Sequence, residues 1–139
     1  MILLDTDVMI DLLRQYPPAV TWFDTLDEDI ALPGYIMMEL IQGCRNKEEQ
    51  ERLQRAVMPY GVVWPLPADC DRALELFLEH HLSRGAGLLD MLIAQTALAL
   101  GSSLYTFNQK HYQFVSELQT IQPYARSQGN IHAAVESSQ

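Results

Sequence analysis

Leu3-Leu4-Asp5-Thr6-Asp7 is the stretch that decides the fold. An apolar opening, Ile2-Leu3-Leu4, runs into a carboxylate. A second apolar series, Val8, Ile10, Leu12 and Leu13, follows at helical spacing. The pattern predicts a short buried strand over 1–4 and a helix over 6–14. Open α/β sheets place their chemistry beyond the carboxyl end of a buried strand, where Asp5 stands.

Working outward, Pro17-Pro18 suit a loop and the first turn of a helix over 18–26. Ile30-Ala31-Leu32 reads as a second strand. Pro33 opens a helix that Gly43 stops in the C′ manner. Residues 46–57 form a charged helix, with Glu48/Arg52 and Glu51/Arg55 spaced as i,i+4 pairs. Val62–Leu66 is short and extended. An amphipathic helix covers 68–83, Gly85-Ala86-Gly87 breaks it, and an almost wholly apolar helix covers 88–100. Strands follow at Leu104–Phe107 and Leu118–Ile121. This alternation predicts a three-layer α/β/α sandwich around a short, central, parallel sheet. The reading gives one domain over 1–125 and a frayed polar tail over 126–139.

The composition narrows the function. The chain has 139 residues, 48% hydrophobic, with net charge −9. That charge argues against a non-specific nucleic-acid binder, whose footprint is basic. It leaves open an enzyme that reaches nucleic acid through bound cations, which reverse the charge of a carboxylate site. No apolar run is long enough for a membrane span, and Asp5 interrupts any signal-like opening. A soluble cytoplasmic protein is the simplest expectation. Cys44 and Cys70 lack the spacing of a zinc site and read as reduced core or semi-buried thiols.

Three acids stand alone on apolar elements. Asp5 follows the first strand. Glu39 is the single charged residue between Asp29 and Arg45. Asp90 is the single charged residue between Arg84 and Lys110, in the first turn of its helix, where the macrodipole favours an acid. Acids are rarely buried without a partner, so three of them on core elements point to a shared cation. Asn108 ends a strand as Asp5 does, and its amide oxygen is a fourth candidate ligand. All are hard oxygen donors, which favour Mg²⁺ or Mn²⁺ and phosphodiester hydrolysis. Asp7 reads as a helix-capping acid and Asp11 as an exposed or locally bonded one. His80, His81 and His111 read as surface or packing residues. Trp22, Trp64 and the tyrosines read as core or interface residues.

Leu4-Asp5-Thr6-Asp7-Val8, Met38-Glu39-Leu40 with Gly43, Leu89-Asp90-Met91-Leu92-Ile93-Ala94, and Thr106-Phe107-Asn108-Gln109-Lys110-His111-Tyr112 occur in series. Together they resemble the PIN-domain ribonucleases, most closely the toxins of VapBC-type toxin–antitoxin modules. The resemblance spans about residues 1–122. It implies a metal-dependent endoribonuclease in which Asp5, Glu39 and Asp90 match the acidic triad. Asp5 and Asp90 would hold the main metal, and Glu39 would orient the attacking water or bind a second ion. Asn108 falls near the fourth, more variable acidic position, and Thr106 near a hydroxyl residue that supports it. Thr6 and Asp7 would stand behind the ligands. The resemblance also implies an RNA substrate, a homodimer and a silencing antitoxin. Two other readings are weighed beside it. Leu3–Val8 also fits the first motif of haloacid-dehalogenase-type phosphatases, but the downstream Lys and acidic pair of that family are missing. A PIN fold acting as a binding module, with little or no catalysis, stays open because Asn108 carries no charge.

Overall fold

All three residues of the first strand, β1 (Ile2–Leu4), are buried. Successive strand residues point to opposite faces, so both faces of the sheet are covered. The computed structural model describes residues 1–126. In it β1 leads to α1 (Thr6–Leu13) and α2 (Pro17–Phe23). Strand β2 (Ile30–Pro33), buried throughout, leads to α3 (Gly34–Gln42) and α4 (Lys47–Val57). Strand β3 (Val62–Val63) precedes α5 (Pro67–Arg84) and α6 (Leu88–Leu100). Strands β4 (Leu104–Tyr105) and β5 (Thr120–Ile121) complete the series. The five strands form one sheet in the order β3-β2-β1-β4-β5, and every pairing is parallel. The expected α/β/α sandwich is the observed architecture.

This strand order fixes where a site can form. β1 is central, with β2 on one side and β4 on the other. The strand order reverses between β1 and β4, so a crevice forms beyond their carboxyl ends. Asp5 follows one of these strands and Thr106 the other. The amide of Asp5 still donates to Tyr105 O at 2.9 Å, which holds the two strand ends in register.

Local signals explain most element boundaries. Prolines occupy the first turns of α2 and α5, where their missing N–H costs nothing. Asn46 caps α4 by accepting from Glu49 N at 2.9 Å. Gly85 and Gly101 end α5 and α6 at φ +70° and +65°, conformations an L side chain adopts only with strain. Gly43 also ends its helix but stays right-handed, so it is not the left-handed stop expected there.

Several expectations are corrected. The fourth strand ends at Tyr105, not Phe107, because side chains capture the next amides. Phe107 N donates to Asp7 Oδ2 and Asn108 N to Thr106 Oγ1. The ion pair beside α4 is Arg45–Glu49 at 2.8 Å, where Glu48/Arg52 and Glu51/Arg55 were expected. Glu49 also accepts from Arg45 N, so one carboxylate satisfies both backbone and guanidinium. Cys70 is exposed, whereas Cys44 is half-buried. Trp22 is packed against Tyr105 and Tyr124, but Trp64 is 60% exposed.

Asp11 is neither exposed nor locally bonded. It accepts from Tyr124 Oη at 2.7 Å and pairs with Arg126 at 2.8 Å. The Arg126 guanidinium also lies 3.8 Å from the centre of the Phe107 ring. Residue 126, expected to open the tail, is therefore fastened to α1; residues 127–139 lie outside the described residues. Arg126→Ala should lower unfolding free energy by about 2 kcal/mol, since it leaves a largely buried carboxylate without its cation. Urea titration checks this. A double-mutant cycle with Asp11→Asn should return a coupling above about 0.5 kcal/mol.

Candidate active site

Asp5 is buried, with 6% of its surface exposed, and each of its oxygens has a donor. Oδ1 accepts from Thr6 N at 2.8 Å, which makes Asp5 the N-cap of α1. Oδ2 accepts two hydroxyls, Thr106 Oγ1 at 2.8 Å and Tyr112 Oη at 2.9 Å. A buried carboxylate stays ionised only when donors replace the water it has lost. Thr106 itself is fully buried, and its hydroxyl accepts from Asn108 N at 3.0 Å. Thr106 thus links the Asp5 carboxylate to the backbone of Asn108. Thr6 contributes its amide; its hydroxyl is buried without a partner among the described residues.

Asp90 reaches the same place from the other side. It stands in the first turn of α6, directly after the Gly85–Gly87 break. A Cβ at Gly87 would lie 3.2 Å from Asp90 Oδ2, so the glycine makes room for the carboxylate. Asp90 Oδ1 is 3.2 Å from Tyr112 Oη, and Oδ2 is 3.4 Å from His111 Nδ1. One phenolic oxygen therefore lies between the Asp5 and Asp90 carboxylates. Tyr112, read from the sequence as a core or interface residue, also meets both carboxylates. Its signal was a tyrosine in a predominantly polar turn just beyond Asn108. His111, read as a packing residue, faces Asp90 and is more than half exposed.

Glu39 is half-buried on α3. Tyr35, one turn earlier, donates to Leu92 O at 3.1 Å and shares a hydrogen bond with Thr96 Oγ1. These contacts tie α3 to α6 close to Asp90, and the charge of Glu39 helps raise the Asp90 pKa. Even so, no group of three acidic or imidazole side chains closes around one point among the described residues. The structure brings Asp5 and Asp90 together and leaves Glu39 as a neighbouring charge.

Asp7, expected to cap α1, stands inside its first turn, and Asp5 is the cap. Asp7 accepts from Val8 N at 2.8 Å, Phe107 N at 3.0 Å and Asn108 Nδ2 at 3.3 Å. It thereby ties α1 to the segment after β4. Asn108 is exposed and directs its amide nitrogen at Asp7.

The electrostatics match a crevice with surplus negative charge. Burial, and then the charge of Asp5, push Asp7 up to about 6 against the opposing amides of Phe107 and Val8. Burial and Asp5 also raise Asp90, and His111 and Tyr112 oppose them. Burial, with Asp5 and Asp90 beside it, holds the Tyr112 hydroxyl protonated far above the ordinary tyrosine range. Hard oxygen donors that destabilise one another in this way fit a small divalent cation.

An acid-lined crevice at the switch point of an all-parallel sheet defines the class: an α/β domain whose site is built from carboxylates. Residues 2–115 match the family described as PIN domain. The chain is 31% identical over 125 residues to Ribonuclease VapC19 of Mycobacterium tuberculosis, covering 84% of this chain and 96% of that one. Its fold superposes on VapBC-1 from nontypeable Haemophilus influenzae with a TM-score of 0.70 at 27% identity, covering 87% and 97% of the two chains. A toxin–antitoxin complex from Klebsiella pneumoniae gives a TM-score of 0.74 at 21% identity, covering 91% and 100%. The chain belongs to the PIN domain family. That membership leaves no place for the phosphatase reading of Leu3–Val8.

Thr106→Val removes the donor to Asp5 and the acceptor for Asn108 N together. We expect a loss of about 2 kcal/mol in unfolding free energy, since buried partners are left unsatisfied. Thr106→Ser should recover most of it, read by thermal and urea unfolding.

Proposed function

We propose that the protein is a divalent-metal-dependent endoribonuclease, the toxin partner of an antitoxin protein. The convergence of Asp5 and Asp90 on one point of the crevice carries this reading, in a chain related to Ribonuclease VapC19. The structural likeness to VapBC-1 of nontypeable Haemophilus influenzae supports the partner. RNA is its substrate and the cytoplasm its place of action.

Asp5 and Asp90 would hold Mg²⁺ or Mn²⁺. The bound ion supplies Lewis acidity, easing ionisation of water at neutral pH and offsetting charge that builds on the phosphate. The residues do the remaining work. Thr106, Tyr112 and Thr6 N hold the Asp5 carboxylate in one orientation. Glu39 would orient the attacking water. Asp7 and Asn108 brace the rim between α1 and β4. With a net charge of −9, the chain repels RNA unless cations intervene.

Structured RNAs, incubated with purified antitoxin-free protein and Mn²⁺ or Mg²⁺, test this directly. Asp5→Asn and Asp90→Asn should each cut the cleavage rate at least ~100-fold, the equivalent of about 3 kcal/mol of lost transition-state stabilisation. Chelation by EDTA should stop the wild type. Equal cleavage by all three proteins would remove the metal-site reading. No cleavage, with no metal bound in calorimetry, would favour a binding module.

A homodimer is part of the same proposal. Leu74, Leu78 and Leu82 recur every fourth residue on α5 and are 55%, 71% and 93% exposed. Such a stripe on a free helix face supports burial against a second copy. Light scattering on a sizing column should show a dimer that Leu78→Glu converts to monomer.

A further inference from the structure

Tyr112 is 1% exposed, at the end of the short turn Gln109–His111, and it is among the largest fully buried side chains. A buried phenol needs a partner for its hydroxyl. Most buried tyrosines meet that need with one backbone carbonyl. Tyr112 instead faces two carboxylates of like charge, Asp5 Oδ2 at 2.9 Å and Asp90 Oδ1 at 3.2 Å.

The hydroxyl has one proton and cannot donate to both. Asp5 is nearer and takes it in the better-formed bond. With Thr106 Oγ1 donating as well, Asp5 Oδ2 has both lone pairs engaged. Among the described residues Oδ1 accepts only Thr6 N, so the remaining lone pair of Asp5 lies on Oδ1. Tyr112 thus decides which oxygen of Asp5 is available. It also sets the approach of Asp90, whose Oδ1 rests against the phenolic oxygen. A flexible group would not do this. The Tyr112 ring belongs to the hydrophobic core cluster with Val115, Leu3 and Met91, so its hydroxyl is a fixed point.

We infer that Tyr112 is a positioning residue for the divalent cation, its hydroxyl fixing the orientation and spacing of the Asp5 and Asp90 carboxylates that hold the ion. This rests on the metal-site reading above. It adds that cation affinity is set by a residue outside the acidic set. Hydrogen-bond partners that orient ligands influence metal affinity about 10- to 100-fold.

Tyr112→Phe removes one oxygen and keeps the ring. Mn²⁺ titrated into the metal-free protein, followed by calorimetry, should show about 10-fold weaker binding than wild type. The Mn²⁺ concentration giving half-maximal RNA cleavage should rise by a similar factor, and the rate at saturating Mn²⁺ should return to near wild type. General damage to the fold would not be repaired by more metal. Binding within twofold of wild type overturns the inference and leaves the metal site standing. No Mn²⁺ binding by wild type removes the metal site and the inference with it. If the Phe variant does not fold, 3-fluorotyrosine placed at position 112 of the wild-type chain gives a second reading. Its ¹⁹F resonance should move when Mg²⁺ is added. An unmoved resonance, with Mg²⁺ shown by calorimetry to bind, overturns the inference.

Discussion

The rest of the site depends on satisfying one carboxylate at the end of a buried central strand. Water cannot solvate Asp5 there, and an isolated buried charge is unstable by several kcal/mol or more. Three donors replace the lost water, and they come from three parts of the chain: the first amide of α1, the residue after β4, and the turn beyond it. Meeting this need joins the two strands that border the crevice. The same carboxylate that would serve chemistry is a structural joint between the first and last parts of the fold.

Parallel topology turns that joint into a site. Because β1 is flanked by β2 and β4, the strand order reverses there and a crevice forms beyond their carboxyl ends. Asp90 enters from α6, aided by the room at Gly87, and the Tyr35 contacts bring α3 alongside. Negative charge accumulates with little positive charge to balance it, as the raised pKa values of Asp7 and Asp90 record. Arg126 is close, but Asp11 holds it.

The sheet and the two principal acids were legible in the sequence because they rest on local contrast. An apolar run ending in Asp5, and a helix with Asp90 as its one charge, stand out without tertiary knowledge. Features that depend on distant partners were not legible. Nothing near Tyr112 in the sequence says that its hydroxyl meets Asp5, and nothing near Asp11 announces Arg126. The shortened β4 has the same origin, since Asp7 and Thr106 compete successfully for amides that a strand would have used. Glu39 was legible as an isolated acid. The geometry places it beside Asp90 without closing a three-residue cluster.

The hydrogen bonds that complete Asp5 span 101 and 107 residues of sequence. Contacts of such separation form only after most of the chain has collapsed, because loop closure must precede them. During synthesis, Asp5 emerges about a hundred residues before its hydroxyl partners. A nascent chain that has not yet released Thr106 and Tyr112 has only the Thr6 amide to satisfy the central carboxylate. The crevice thus has a built-in order of assembly: the fold must be nearly finished before the site exists.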